Sequence, residues 1–112
     1  MTAARLLYGL DQARDIVRKQ SGLLLFLTPP GGVEFGGPAF YLEILDRLRV
    51  DYPDRDIQLL LDCGRNGGLA IEAIRLGAKD IHFDGHPDAE RSIRAIARQE
   101  STRLWATLPD PA

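Results

Sequence analysis

Apolar residues in this chain fall into two kinds of pattern. Leu23-Leu24-Leu25-Phe26-Leu27-Thr28 and Ile57 to Leu61 are short, almost continuous apolar runs, the pattern of strands buried on both faces. Asp80-Ile81-His82-Phe83 reads as a third strand. Leu104-Trp105-Ala106 reads as a last one, at an edge because its flanks are polar. Between the runs the spacing changes to three and four, the signature of amphipathic helices. Asp11 is a good N-cap for a helix carrying Ala13, Ile16 and Val17, with Gly22 as its stop. Pro38 opens the next helix, whose stripe is Phe40 or Tyr41, Ile44, Leu45 and Leu48, and Tyr52-Pro53-Asp54 ends it. Ala70, Ile71, Ala73 and Ile74 line a third helix closed by Gly77. Pro87, with Asp88 and Glu90 in the first turn, opens a fourth, buried through Ile93, Ala95 and Ile96.

The order is therefore α-βα-βα-βα-β. Alternating strands and helices predict an α/β protein with a mainly parallel sheet and right-handed crossovers. The expected form is a small four-stranded sheet with helices on both faces, Rossmann- or flavodoxin-like. A half-barrel is less favoured, because it exposes apolar surface unless it dimerises. A single domain is expected over residues 1–108, with 109–112 as a flexible tail. Arg5-Leu6-Leu7-Tyr8-Gly9-Leu10 is too apolar for a free tail and is expected to pack on its own domain or on a second copy. Leu6-Leu7-Tyr8 and Trp105 are thus the candidate surface of a homodimer.

Composition narrows the classes. A chain of 112 residues, 45% hydrophobic and 27% charged, is long enough for one buried core. The formal charge of −2 gives no basic footprint for nucleic acid. No run approaches the roughly 18 apolar residues of a membrane span, and the first residues lack a signal peptide's apolar centre, so a cytoplasmic location is expected. The single cysteine cannot form an internal disulfide.

Candidate chemistry gathers where parallel sheets bind ligands, outside the carboxyl ends of the strands. Three loops meet there, Thr28 to Gly37, Asp62 to Gly68 and Asp84 to Asp88, and they hold most of the chain's 11 glycines. Gly31 to Gly36 has P-loop spacing, but Gly37-Pro38 stands where Lys and Ser/Thr are needed and Glu34 has the wrong charge, which excludes a nucleoside triphosphatase. Gly31 and Gly32 remain candidate anion or ligand contacts. Gly64, Arg65, Asn66 and Gly67 form the second loop. Shifting the chain so that Asp62 falls on Asp84 also superposes Ala70-Ile71 on Ser92-Ile93, so the two aspartates are expected at equivalent strand ends. Cys63 lies before a helix, and with His86 and Asp84 it offers a possible thiol site. Neighbouring carboxylates and burial would oppose that. Asp62, Asp84, His86 and Asp88 match no standard metal spacing, and no metal is expected. His82 reads as a hydrogen-bonded, partly buried structural histidine.

The stretch LLLDCGRNGGLAIEAIRLGAKDIHFDGHPDAERSIRAIA resembles the S-adenosylmethionine-binding half of a Rossmann-like methyltransferase. That resemblance implies a first motif at Asp62, Gly64, Gly67 and Gly68, with Asp84 as the ribose-binding acid. The interval from Gly64 to Asp84 matches the spacing of about 20 residues in dinucleotide fingerprints. Arg65-Asn66 interrupts the family's Gly-x-Gly pairing, and a βα unit precedes the motif. The whole chain also resembles small uncharacterised bacterial α/β proteins. The expected function is a non-catalytic module binding a small molecule or a protein through the rim, with Asp62 and Asp84 foremost. The alternatives are a small enzyme using Cys63, His86 and Asp84, or a divergent S-adenosylmethionine- or nucleotide-binding fragment.

Overall fold

The computed structural model describes residues 3–111; Met1 and Thr2 of the expected domain and Ala112 of the expected tail lie outside the described residues. The elements follow as β1 (Ala4–Leu6), α1 (Leu10–Lys19), β2 (Leu24–Leu27), α2 (Gly32–Gly36), α3 (Pro38–Asp51), β3 (Ile57–Asp62), α4 (Gly67–Arg75), β4 (Asp80–His82), α5 (Pro87–Gln99) and β5 (Arg103–Trp105). The strands form one sheet in the order β1-β2-β3-β4-β5, and every neighbouring pair is parallel.

The α/β parallel-sheet class holds, and two features of the expected form are corrected. The sheet has five strands, not four. The additional one is β1, only three residues long, within the apolar stretch expected to pack on its own domain or on a second copy. The helices lie on one face, not on both. Each right-handed crossover steps in the same direction along the sheet, so each helix lands on the same side. A doubly wound sheet needs the order to reverse once, and here it never does. This is the strand order of an opened half of an α/β barrel. A further element, α2, lies in the glycine-rich loop after β2.

Alternation along the strands divides the apolar residues between two cores. Leu24, Phe26, Ile57, Leu59, Leu61 and Ile81 face the helices and meet Ile16, Val17, Leu48, Ile74 and Ile93. Ala4, Leu25, Leu27 and Leu60 face the other way, joined by Leu6 and Trp105, with no helical residue among them. Leu60 is fully buried on that face, which is worth about 2 kcal/mol for a side chain of its size. Arg14 of α1 donates to Asp51 of α3 at 2.7 Å, pinning two neighbouring helices of the single layer. Helix α1 starts two residues earlier than Asp11 suggests, with Gly9 as its N-cap. The Gln12 side chain takes the capping role, its Oε1 accepting from the backbone N–H of Tyr8 at 3.0 Å.

The helix-free face is covered by the chain's own end. After β5 the strap, residues 106–111, returns across it, and Pro111 forms a parallel bridge with Ala4. Since β2 occupies one side of β1, Pro111 sits on the outer side. From Trp105 to Pro111 the chain reaches about 20 Å at full extension. Five flat strand spacings need about 24 Å. The sheet must therefore curl toward the strap, as a barrel sheet does. The apolar surface that weighed against a half-barrel is covered within one chain.

Candidate functional site

The rim of βα loops is built mostly for turning and capping. Asp62 ends β3, and its Oδ1 accepts from the Gly64 backbone N–H at 3.0 Å. That closes a short side-chain turn, which Gly64 permits with φ +56. Asn66 caps α4, its Oδ1 accepting from Leu69 N–H at 3.1 Å. Gly67 and Gly68 are the first two residues of that helix, and Arg65 is exposed. His86 caps α5, its Nδ1 accepting from Asp88 N–H at 3.0 Å, and the ring stands in solvent. Gly31 precedes α2, and Gly32 is needed because the Tyr41 hydroxyl occupies the place of a Cβ. Asp84 is exposed, and its N–H continues the strand ladder by donating to the Gly64 carbonyl at 2.7 Å.

Cys63 is buried in the helix-side core. Its Sγ lies 3.8 Å from the Leu61 carbonyl. Burial foremost, and then the charge of Asp62, push the thiol up to about 12. It is a protonated core thiol at neutral pH. Among the described residues no hydrogen bond links it to His86, whose Nδ1 is committed to its own helix.

The strand register brings a different pair together. Asp62 is the partner of His82, not of Asp84. Both Asp62 and His82 share the parity of Leu60, so they belong to the strap face. His82 is 7% exposed, and its Nδ1 lies 2.9 Å from the Trp105 carbonyl oxygen. A carbonyl only accepts, so Nδ1 carries a proton and donates it. One step lower on the same face, Asp80 is 2% exposed and fully engaged. It accepts from Arg103 Nε at 2.6 Å, from a second Arg103 nitrogen at 2.9 Å, and from Trp105 Nε1 at 2.9 Å. This hydrogen bond foremost, and the Asp80 charge with it, raise the Arg103 pKa further.

Between the strap and the carboxyl ends of β1 to β3 lies a hollow of about 300 Å³. Leu6, Leu27, Thr28 and Asp62 form its sheet wall, Pro30 stands beside them, and strap residues 108–111 form the opposite wall. Apart from the Thr28 hydroxyl, which accepts from the Asp62 backbone N–H at 2.9 Å, its polar side chains are the carboxylates of Asp62 and Asp110. Of the sequence-expected binding residues, Asp62 lines this hollow; Gly31, Gly32, Gly64, Arg65, Asn66, Gly67, Asp84 and His86 do not. Leu108-Pro109-Asp110-Pro111, most of it in the segment expected as a tail, forms a wall instead. The signal was its alternation of proline with Leu and Asp, which stiffens an extended segment.

Among the described residues, no three of His, Cys, Asp or Glu gather as metal ligands, and no helix is long and apolar enough to cross a membrane. The fold and the hollow define a class: a singly wound parallel α/β sheet whose helix-free face is closed by a C-terminal strap. The chain matches no protein-family model and no curated protein.

Proposed function

We propose that this protein is a non-catalytic small-molecule-binding module whose ligand sits between the strap and the carboxyl ends of β1 to β3. The observation carrying this reading is the hollow itself. Its volume of about 300 Å³ is that of a small ligand site, mostly apolar with few polar groups. It opens at the end of the sheet where α/β barrels bind their ligands. The one cysteine is a buried, protonated thiol, which argues against a thiol enzyme built on it.

A thermal-shift screen of small molecules tests this, run on the wild type and on Leu108→Trp, which fills the hollow from the strap side. Ligands that raise the melting temperature of the wild type and lose that effect in the variant support the reading. Ligands that stabilise both proteins equally would place the site elsewhere, and a screen without any stabilising compound would end the proposal.

A further inference from the structure

We infer that the hollow selects organic cations, a small ammonium compound with an apolar body being the ligand class that fits it. This rests on the proposed binding role of the same hollow and adds the sign of charge. Asp62 and Asp110 both line the space, and among the described residues no basic side chain does. Asp62 uses Oδ1 for the Gly64 N–H. Among the described residues, no hydrogen bond or ion pair reaches its other oxygen, and none reaches the Asp110 carboxylate. The contrast with Asp80 on the same face is informative. There the protein supplies its own cation, Arg103, together with the Trp105 N–H. At the upper end of the face it supplies none.

Two carboxylates beside apolar walls favour a charged N–H donor, because a charge-assisted hydrogen bond is stronger than a neutral one. Leu6, Leu27 and the strap prolines would hold the ligand's apolar body. An anion would face both carboxylates unshielded. A neutral molecule of the same shape would gain only the apolar contact.

Calorimetric titration of the full chain with cyclohexylammonium, and with cyclohexanol as the neutral isostere, tests the inference. The ammonium compound should bind at least tenfold more tightly. Asp62→Asn and Asp110→Asn should each weaken it severalfold while leaving cyclohexanol unchanged. Asp110 is exposed and makes no described internal hydrogen bond, so its variant keeps the test valid even if Asp62→Asn disturbs the β3 turn. Equal binding of the two compounds, or unchanged ammonium affinity in Asp110→Asn, overturns cation selectivity and leaves the hollow as a neutral site. No binding of the ammonium compound to the wild type also overturns the inference, and the Leu108→Trp screen then decides separately whether the hollow binds anything.

Discussion

Asp62 stands beside His82, its register partner on the neighbouring strand, with both side chains on the strap-covered face of the sheet. Asp84 lies two residues beyond His82, past the end of β4. This stagger decides what each acid can do. Asp62 looks into a walled space, whereas Asp84 ends in solvent and contributes its backbone to the ladder.

The lower part of the same face depends on Asp80. Replacing it with Asn removes the charge that holds Arg103 and turns an amide N–H₂ toward at least one donor, the Arg103 nitrogen that Oδ2 now accepts from. A buried ion pair broken on one side costs several kcal/mol, but the Arg103 side chain is 63% exposed and can return to water. The expected loss is about 2 kcal/mol. Urea unfolding followed by the fluorescence of Trp105, the only tryptophan, measures it. A change within about 0.5 kcal/mol, the range of ordinary surface substitutions, would mean that the network is not needed.

The strap should be part of the folded unit. Ending the chain after Ala106 bares Leu25, Leu27 and Leu60, which are buried in the intact protein. The shortened protein should bind a hydrophobic dye strongly, lose stability and self-associate. Dye binding and a urea midpoint equal to those of the full chain would show that the strap covers nothing of consequence.

Gly32 and Tyr41 should be coupled. Gly32→Ala sets a methyl group where the Tyr41 hydroxyl stands, an overpacking worth about 1–3 kcal/mol. Tyr41→Phe removes that oxygen. The double variant should recover most of the loss, and a double-mutant cycle reads the coupling. Additive effects would separate the two residues.

Cys63 should be inert in the native state and should make stability fall at high pH. Its folded-state pKa, raised by burial to about 12, lies above the ordinary thiol value. A raised acid stabilises fully below its unfolded pKa and loses that contribution as pH rises toward the folded value. Between pH 8 and 10 the wild type should therefore lose about 1 kcal/mol more stability than Cys63→Val. Alkylation at neutral pH should proceed only through unfolding. Fast reaction of the native thiol would contradict its burial.

Much of this fold is legible from apolar spacing. The runs at Leu24–Leu27 and Ile57–Asp62 are strands, and Pro38 and Pro87 open α3 and α5. The layer arrangement is not legible, because it depends on strand order. β1, the fifth strand, has three residues and is too short to show a period of two. Of the candidate site, the placing of Asp62 at a strand end is legible, and its register partner is not. The self-overlay that matches Asp62 with Asp84 follows the chain, whereas the sheet's register pairs Asp62 with His82. The strap's alternating prolines mark a stiff, extended segment but not where it docks, which a bridge between Ala4 and Pro111, far apart in sequence, decides.

The central claim is that the ligand seat lies beneath the strap and not on the glycine-rich rim. Backbone ¹H–¹⁵N correlation spectra recorded during a cyclohexylammonium titration test it most directly. Saturable shifts should cluster at Leu6, Leu27, Thr28, Asp62, Leu108 and Asp110, with Gly31, Asp84 and His86 unmoved. Shifts centred on Gly31, Asp84 and His86, or none that saturate, would contradict it.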